Sequence, residues 1–502
     1  MYKDNPFSFC PAAAGACLIL ASGVSAQTLS TLHSFNGSDG STPVASLVLS
    51  NNTLYGTAWT GGSGSAGTIF AVNTDRTGFT NLYSFTTPSG PFPHTNSDGG
   101  TPNGLILSGQ TLYGTAKNGG NSGVGTVFAI NVDGTGFTNL HTFTALSVDP
   151  PFTNSDGANP AAGLILSGST LYGTATGGGN SGSGTIFAMS TDGTSFMTLY
   201  SFSEAAGPFP GTNNDGAAPN GLTLSGGTLY GTAQFGGNVG NGTIFAINTG
   251  GTGFATLYDF SATSGSFPGP YTNLDGANPY GDLISSGQTL YGTAVNGGVY
   301  GNGTAFAFDT TGNGFARLHS FTPISMSDSG ASTNVDGANP YGGLILSGQT
   351  LYGTATGGGI LGYGTVFSLN SDGTKFSTLY DFTAPAGPYP PTNSDGASPQ
   401  ADLIISGDTL YGTASAGGSS GLGSVFSLSL GAVNLPQLTI LQAGPNVVLS
   451  WPANITGFTL QASSGLVSPL WTTVSPGPVV VNGQNTVTNV ISGTRMSYRL
   501  MR

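Results

Sequence analysis

The chain has 502 residues, 85 of them glycine, with eight Lys and Arg against 21 Asp and Glu and a net charge of −13. Apolar residues make up 37% and fall in short alternating runs. That is too much apolar content for an acidic disordered chain, so the glycine belongs to turns between strands. Nucleic acid and anionic lipid are poor partners, because from Gln27 to Gly431 the cations are Arg76, Lys117, Arg317 and Lys375, scattered singly where phosphate recognition needs a cluster.

Residues 1–26 read as a secretory signal peptide: Lys3 near the start, an apolar stretch from Pro11 to Ala21, then Val24-Ser25-Ala26 as a small-residue cleavage site. A lipobox ending at Cys17 is a weaker reading, since Ala14 stands where leucine is usual. Cys10 and Cys17 both lie in the leader, so the mature chain has no disulfide and no thiol chemistry. The expected mature protein is extracellular or at the cell surface, monomeric and without a transmembrane segment.

Next comes a strand-like run, Leu29 to Phe35, and after it a motif in the frame LYGTA returns seven times, with Tyr55, Tyr113, Tyr172, Tyr230, Tyr291, Tyr352 and Tyr411 spaced 58 to 61 residues apart. Each copy cuts into four strands, a to d, as in Gly104 to Ser108, Thr111 to Ala116, Gly125 to Asn131 and Phe137 to Phe143. Ser-Gly, a glycine-rich loop and Asp-Gly join them, which are hairpin connectors. Four antiparallel strands repeated at this period make propeller blades.

The d strand has its first copy at Leu29 to Phe35, ahead of any a, b or c, and the last a-b-c set, ending at Leu428, lacks one. The N-terminal segment therefore supplies the missing strand and removes an open sheet edge. The expected fold is all-β: a seven-bladed β-propeller of four-stranded antiparallel blades over 27–431, closed by the N-terminal strand. A β-solenoid is the alternative, but its coils are shorter and give no reason for the split copy. Residues 432–502 change composition, with Trp451 and Trp471 and alternating runs such as Asn446 to Trp451 and Val479 to Val481, and read as a small immunoglobulin- or fibronectin-like β-sandwich.

The run from Thr111 to Phe143, TLYGTAKNGGNSGVGTVFAINVDGTGFTNLHTF, resembles the Gloeo_Verruco (GloVer) tandem repeat of secreted bacterial proteins, over roughly Leu29 to Leu428. The tail, from NVVLSWPANITGFTLQ to SYRL, is similar to a short fibronectin-type-III-like module. The resemblance implies export and surface or extracellular residence, with no established enzymatic activity.

Several constellations could carry chemistry. Asp-Gly pairs recur at Asp39, Asp98, Asp156, Asp215, Asp275, Asp336 and Asp395, six preceded by Thr-Asn-x and all followed by a proline. Asn-x-Asp-Gly matches the middle of a calcium loop, but the flanking acids are missing, so an Asx-turn before strand a is the simpler reading. Five copies insert a proline-aromatic stretch before this turn, bearing Phe92, Phe152, Phe209, Tyr271 and Tyr389. Rings beside prolines are either covers for the adjoining blade or pre-organised platforms for a sugar or peptide. His33, His141 and His319 fill a d-strand slot that is tyrosine in other copies, and look like core rings and not metal ligands. No nucleophile elbow, phosphate loop or metal motif is present.

The leading expectation is a non-catalytic protein without cofactor or metal that binds extracellular polymer, carbohydrate above all, through the five loop aromatics. An envelope protein is the alternative partner. A structural or adhesive envelope component is the second reading. The third is a glycan-active enzyme with its site in the central channel, for which Asp282 or Asp402, replacing glycine or alanine just before strand a, are the hints.

Overall fold

The computed structural model describes residues 27–207, 211–265, 270–327, 330–431, 438–443, 446–453, 459–463, 472–490 and 497–501. The leader, Phe209 and Trp471 lie outside them. The chain divides into two compact units, one of Gln27–Ser429 and the other of Leu430–Arg502 with Met1–Ala26. Regular structure among the described residues is strand throughout, and no helix there is long and apolar enough to cross a membrane.

In the larger unit seven sheets share the a-b-c-d plan, one per repeat. The first is Val48–Ser50, Thr53–Ala58, Thr68–Asn73 and Thr80–Ser84, all antiparallel. Strands b and c pair in one register in every copy, Thr53 with Asn73 in the first and Thr409 with Ser429 in the last. Strand b carries glycine in mid-strand because the phenylalanine of c lies flat over it. A Cβ on Gly56 would stand 2.6 Å from Phe70 Cζ and 2.7 Å from Leu47 Cδ2.

The last a-b-c set completes its sheet with Thr28–Ser34, which runs beside Ser424–Ser429 as the fourth strand. Leu32, Phe35, Leu47, Leu54, Phe70, Tyr411 and Val425 then form one buried cluster drawn from the N-terminal strand, the first sheet and the last. Each of these larger side chains contributes about 1.5–3 kcal/mol by leaving water.

Three kinds of link pass from each sheet to the next. The threonine of LYGT donates to an inner carbonyl of the following sheet: Thr57 to Asn103, Thr115 to Ala162, Thr174 to Asn220, Thr293 to Gly342, Thr354 to Ala401, and, from last to first, Thr413 to Ala45. The proline of each copy lies over the glycine that opens strand c one sheet earlier, as Pro102 does over Gly67 and Pro43 over Gly423. At six of the seven junctions the phenylalanine at the start of a d strand stacks on the d-strand ring of the preceding copy, as Phe79 does on His33 at 3.5 Å and Phe137 on Tyr83 at 4.0 Å; the borrowed strand has Leu29 at that place. One threonine rung is missing: Thr232, between the fourth and fifth sheets, is buried with its hydroxyl unpartnered.

In the smaller unit a four-stranded and a three-stranded antiparallel sheet share a core of Leu449, Trp451, Leu460 and Val487. Trp451 is fully buried there, a packing residue and not a ligand platform.

Candidate active site

The repeated Asp-Gly turns are tied off inside the protein. Asp98 is buried and accepts the Thr86 backbone N–H, the Thr86 hydroxyl and, at 2.9 Å, the Tyr83 hydroxyl. Asn96 caps the same turn, accepting the N–H groups of Gly99 and Gly120 and donating to the carbonyls of Thr86 and Gly99. Tyr200, Tyr258 and Tyr380 repeat the tyrosine bond on Asp215, Asp275 and Asp395. His33, His141 and His319 take that place on Asp39, Asp156 and Asp336 at 2.8–3.0 Å. These carboxylates hold turn to strand and have their lone pairs engaged. The Asx-turn reading holds, and the Tyr/His slot proves to be its partner.

Two of the rim aromatics stand clear of their blades. Phe92 is 88% exposed and Tyr389 95%, while Phe152 and Tyr271 are each about half exposed. Phe209 falls outside the described residues. What the inserts press on the glycine loops is their prolines: Pro93 and Pro390 sit where side chains on Gly123 and Gly421 would go.

The repeats differ most at the inner end of strand a. In the second and fourth copies Pro and Leu are separated by two residues, Asn103-Gly104 and Asn220-Gly221, and the strand runs unbroken over Gly100–Ser108 and Ala217–Ser225. The other five copies insert one residue more. In the fifth the strand breaks into Ala277–Pro279 and Ile284–Ser286, so Tyr280, Gly281 and Asp282 bulge out of the ladder. A bulge of this kind re-aims side chains. At the residue before the leucine the copies read Ser46, Gly104, Gly163, Gly221, Asp282, Gly343 and Asp402.

These inner segments surround one cavity of about 500 Å³, to which all seven sheets contribute, including Ala45, Gly104, Ala162, Gly221, Asp282, Tyr341 and Asp402. At the two positions before the strand-a leucine, Ala, Ser, Gly and Asn line it on the first four sheets, with Trp59 beside them; Tyr280, Asp282, Tyr341, Gln400 and Asp402 line it on the other three. The Asp282 carboxylate fills the space left by Gly221, where a Cβ would meet Oδ1 at 1.5 Å. The Asp402 carboxylate turns to the sixth sheet and accepts the Gly343 N–H. A Cβ on Gly343 would in turn stand 2.3 Å from the Asp282 carbonyl oxygen. The broken threonine rung at Thr232 falls at the junction that Asp282 occupies.

Both aspartates are enclosed by protein while keeping partial access to the cavity. Burial, then the charge of Asp402, pushes the Asp282 carboxyl well above the usual range. Burial also lifts Asp402, to about 6, with the Gly343 N–H pulling the other way. Both carboxyls are thus raised, Asp282 by burial and the neighbouring charge and Asp402 by burial against the Gly343 N–H, and unequal surroundings of this kind are how two acids come to take different roles. Tyr280 is also pushed up, by burial and then by Tyr341, whose ring meets it edge-on at 5.5 Å, and by Asp282. Among the described residues no group of three His, Cys, Asp or Glu converges as a metal site.

The chain is similar to several solved structures. A GH74 enzyme of Niastella koreensis matches at 14% identity and a TM-score of 0.45, over 87% of this chain and 59% of that one. An oligogalacturonate lyase of Vibrio parahaemolyticus matches at 9% and 0.46, over 82% and 98%. A putative 6-phosphogluconolactonase of Bacteroides uniformis matches at 14% and 0.41, over 87% and 98%. The chain spans about three fifths of the Niastella enzyme's length. No curated protein sequence matches it. Those solved structures carry enzyme titles. The expectation of a non-catalytic polymer-binding protein is corrected on this chain's own residues: its departure from repeat symmetry is an acid pair in the inner cavity instead of a uniform rim. Asp282 and Asp402, minor hints in the sequence, are the residues brought together; Trp59 and Tyr280, which also line the cavity, sequence reasoning missed. LYGTA and its companion pieces match the Gloeobacter/Verrucomicrobia repeat over residues 18–151, 144–272 and 329–443, most of the chain, and the protein belongs to that family.

Proposed function

We propose that the protein is a glycan-active enzyme that hydrolyses a neutral polysaccharide in the inner cavity of a closed seven-bladed propeller. The observation that carries this reading is the pair Asp282 and Asp402, placed at equivalent points of two repeats and facing one cavity with both proton affinities raised. Glycoside hydrolysis needs such a pair, an acid for the leaving oxygen and a carboxylate for the other side of the sugar. Asp282 protonates the glycosidic oxygen, and Asp402 takes a proton from the water that attacks the anomeric carbon. The C–O bond breaks as the new one forms, one sugar leaving with the Asp282 proton and the other gaining hydroxyl.

The two carboxylates are turned to different junctions, Asp282 to the fourth sheet and Asp402 to the sixth. We read the reaction as single displacement with inversion, which needs a water between the two carboxylates. An anionic polymer is disfavoured, since a uronate in this cavity would meet Asp282 and Asp402.

Closure is supported by the links from last sheet to first, Thr413 to Ala45 and Pro43 over Gly423, which repeat those between consecutive sheets. Export through a cleaved leader of 1–26 would bring the enzyme to extracellular polymer. The division at Ser429 supports a propeller over 27–431 and a separate fibronectin-type-III-like sandwich over 432–502. Phe92, Phe152, Tyr271 and Tyr389, with Phe209, are outlying contacts for the same polymer.

Reducing-end release from cellulose, xylan, mannan, laminarin and xyloglucan, followed by NMR of the first anomer formed, tests the reading. It requires cleavage of a neutral polymer with inverted configuration. Cleavage restricted to polyuronates, or none at all, would refute it.

A further inference from the structure

The position after LYGTA reads Trp59, Lys117, Thr176, Gln234, Val295, Thr356 and Ser415 along the chain. Trp59 is the sole tryptophan between Gln27 and Gly431 and lines the cavity that holds the acid pair. Its indole is fixed at two places. The ring N–H donates to Asn103 Oδ1 at 3.1 Å, and Asn103 is itself buried and anchored, donating to the Pro160 carbonyl at 2.8 Å. The Lys117 ammonium lies 5.7 Å from the ring centre, over one face. A cation on one face and a hydrogen bond at the edge define the orientation of an aromatic plane. Trp59 remains partly accessible and lines the cavity.

Its place in the ring of links matters. Trp59 follows strand b of the first sheet and reaches the second through Asn103 and Lys117, beside the cavity that also holds Gln400 and Asp402 of the seventh. A pre-fixed apolar plane loses little freedom on meeting the C–H face of a pyranose, and so favours a neutral sugar over a flexible peptide.

We infer that Trp59, locked by Asn103 and backed by Lys117, is the stacking platform for a sugar ring bound in this cavity. This rests on the glycan reading above, and its test separates the two. Sugar binding is measured by fluorescence on the full mature chain carrying D402N, with cellohexaose, xylohexaose, mannohexaose and laminarihexaose as probes; D402N prevents turnover. Subtracting the W59F signal isolates Trp59 from Trp451 and Trp471. One hexaose is expected to shift Trp59 emission. W59A should weaken that binding about tenfold or more, the loss of roughly one good stacking contact. W59F should stay within about threefold of the parent, and with Asp402 intact W59A should raise KM more than it lowers kcat.

If W59A binds and cleaves as the parent does while D282N and D402N are inactive, Trp59 is not the platform and the enzyme reading stands. No shift in Trp59 emission from a hexaose that is cleaved overturns it equally, and serves where W59A does not fold. If no hexaose binds and no glycan is cleaved, both readings fall.

Discussion

His33 of the N-terminal strand pairs with Val425 of the last repeat as Tyr83 pairs with Ile69 inside the first. The irregularity that follows is the same, a register shift between His33 and Thr31 in one and between Ile69 and Phe70 in the other. A segment almost 400 residues away in sequence thus occupies the d position with the twist and bulge of its copies. That junction sets the first sheet beside the seventh.

Phe35 is fully buried at the end of this borrowed strand. F35A should lower unfolding free energy by about 3–5 kcal/mol, the range for truncating a buried phenylalanine. Chemical denaturation would register it as a shifted midpoint. A loss below about 1 kcal/mol would mean that the N-terminal strand is not part of the cooperative fold.

Replacing Asp402 by asparagine should stabilise the protein at neutral pH. The folded carboxyl is raised from 3.8 to about 6, so between those values the fold binds more protons than the unfolded chain, and the cost of ionising Asp402 is complete above about 6 and absent below about 3.8. D402N removes that cost, worth up to about 3 kcal/mol for two pKa units. Melting curves at pH 8 and pH 4 should show the variant more stable at pH 8 and the gap largely closed at pH 4.

The His33 clasp works in the opposite sense. Burial holds His33 below its ordinary 6.5, against the pull of Asp39. As pH falls through 6.5 the unfolded chain takes a proton that the fold resists, and stability is lost until the folded value is reached. H33Y substitutes the clasp used at Tyr83 and Asp98. Urea midpoints at pH 7.5 and 5.5 should fall less for H33Y than for the parent.

Asp98 should behave as a structural clasp and not as a calcium ligand. D98A strands the Thr86 N–H and the Tyr83 hydroxyl, and should cost about 2–4 kcal/mol while leaving kcat within about threefold. Millimolar calcium should leave the parent's melting temperature unchanged. A rise of several degrees with calcium would restore the metal reading of these loops.

Much of the fold is legible in the sequence because each repeat states its strands and turns with the same residues. Even the split copy is visible, since LSTLHSF at the start has the pattern that is missing after Leu428. The site is not legible in the same way. Asp282 and Asp402 lie 120 positions apart in the numbering, and only the order of the sheets brings the fifth and seventh inner segments to one cavity. The signal was one extra residue between Pro and Leu, which breaks the strand ladder in the fifth copy and pushes Asp282 inward. Trp59 was hidden because it follows the repeated strand and reads as the start of a loop. The clasps were within reach of sequence reasoning, since the Tyr/His slot precedes its aspartate by 15 residues in Tyr83–Asp98 and 17 in Tyr258–Asp275.

The most direct test of the catalytic pair is kcat/KM on the neutral polymer that the parent cleaves, for D282N, D402N and the double variant. The account predicts that each single substitution lowers it by about a thousandfold or more, and that the double variant is little worse than either, because an acid and a base acting in one step are not additive. Single variants that keep a tenth or more of the parent's kcat/KM would contradict it.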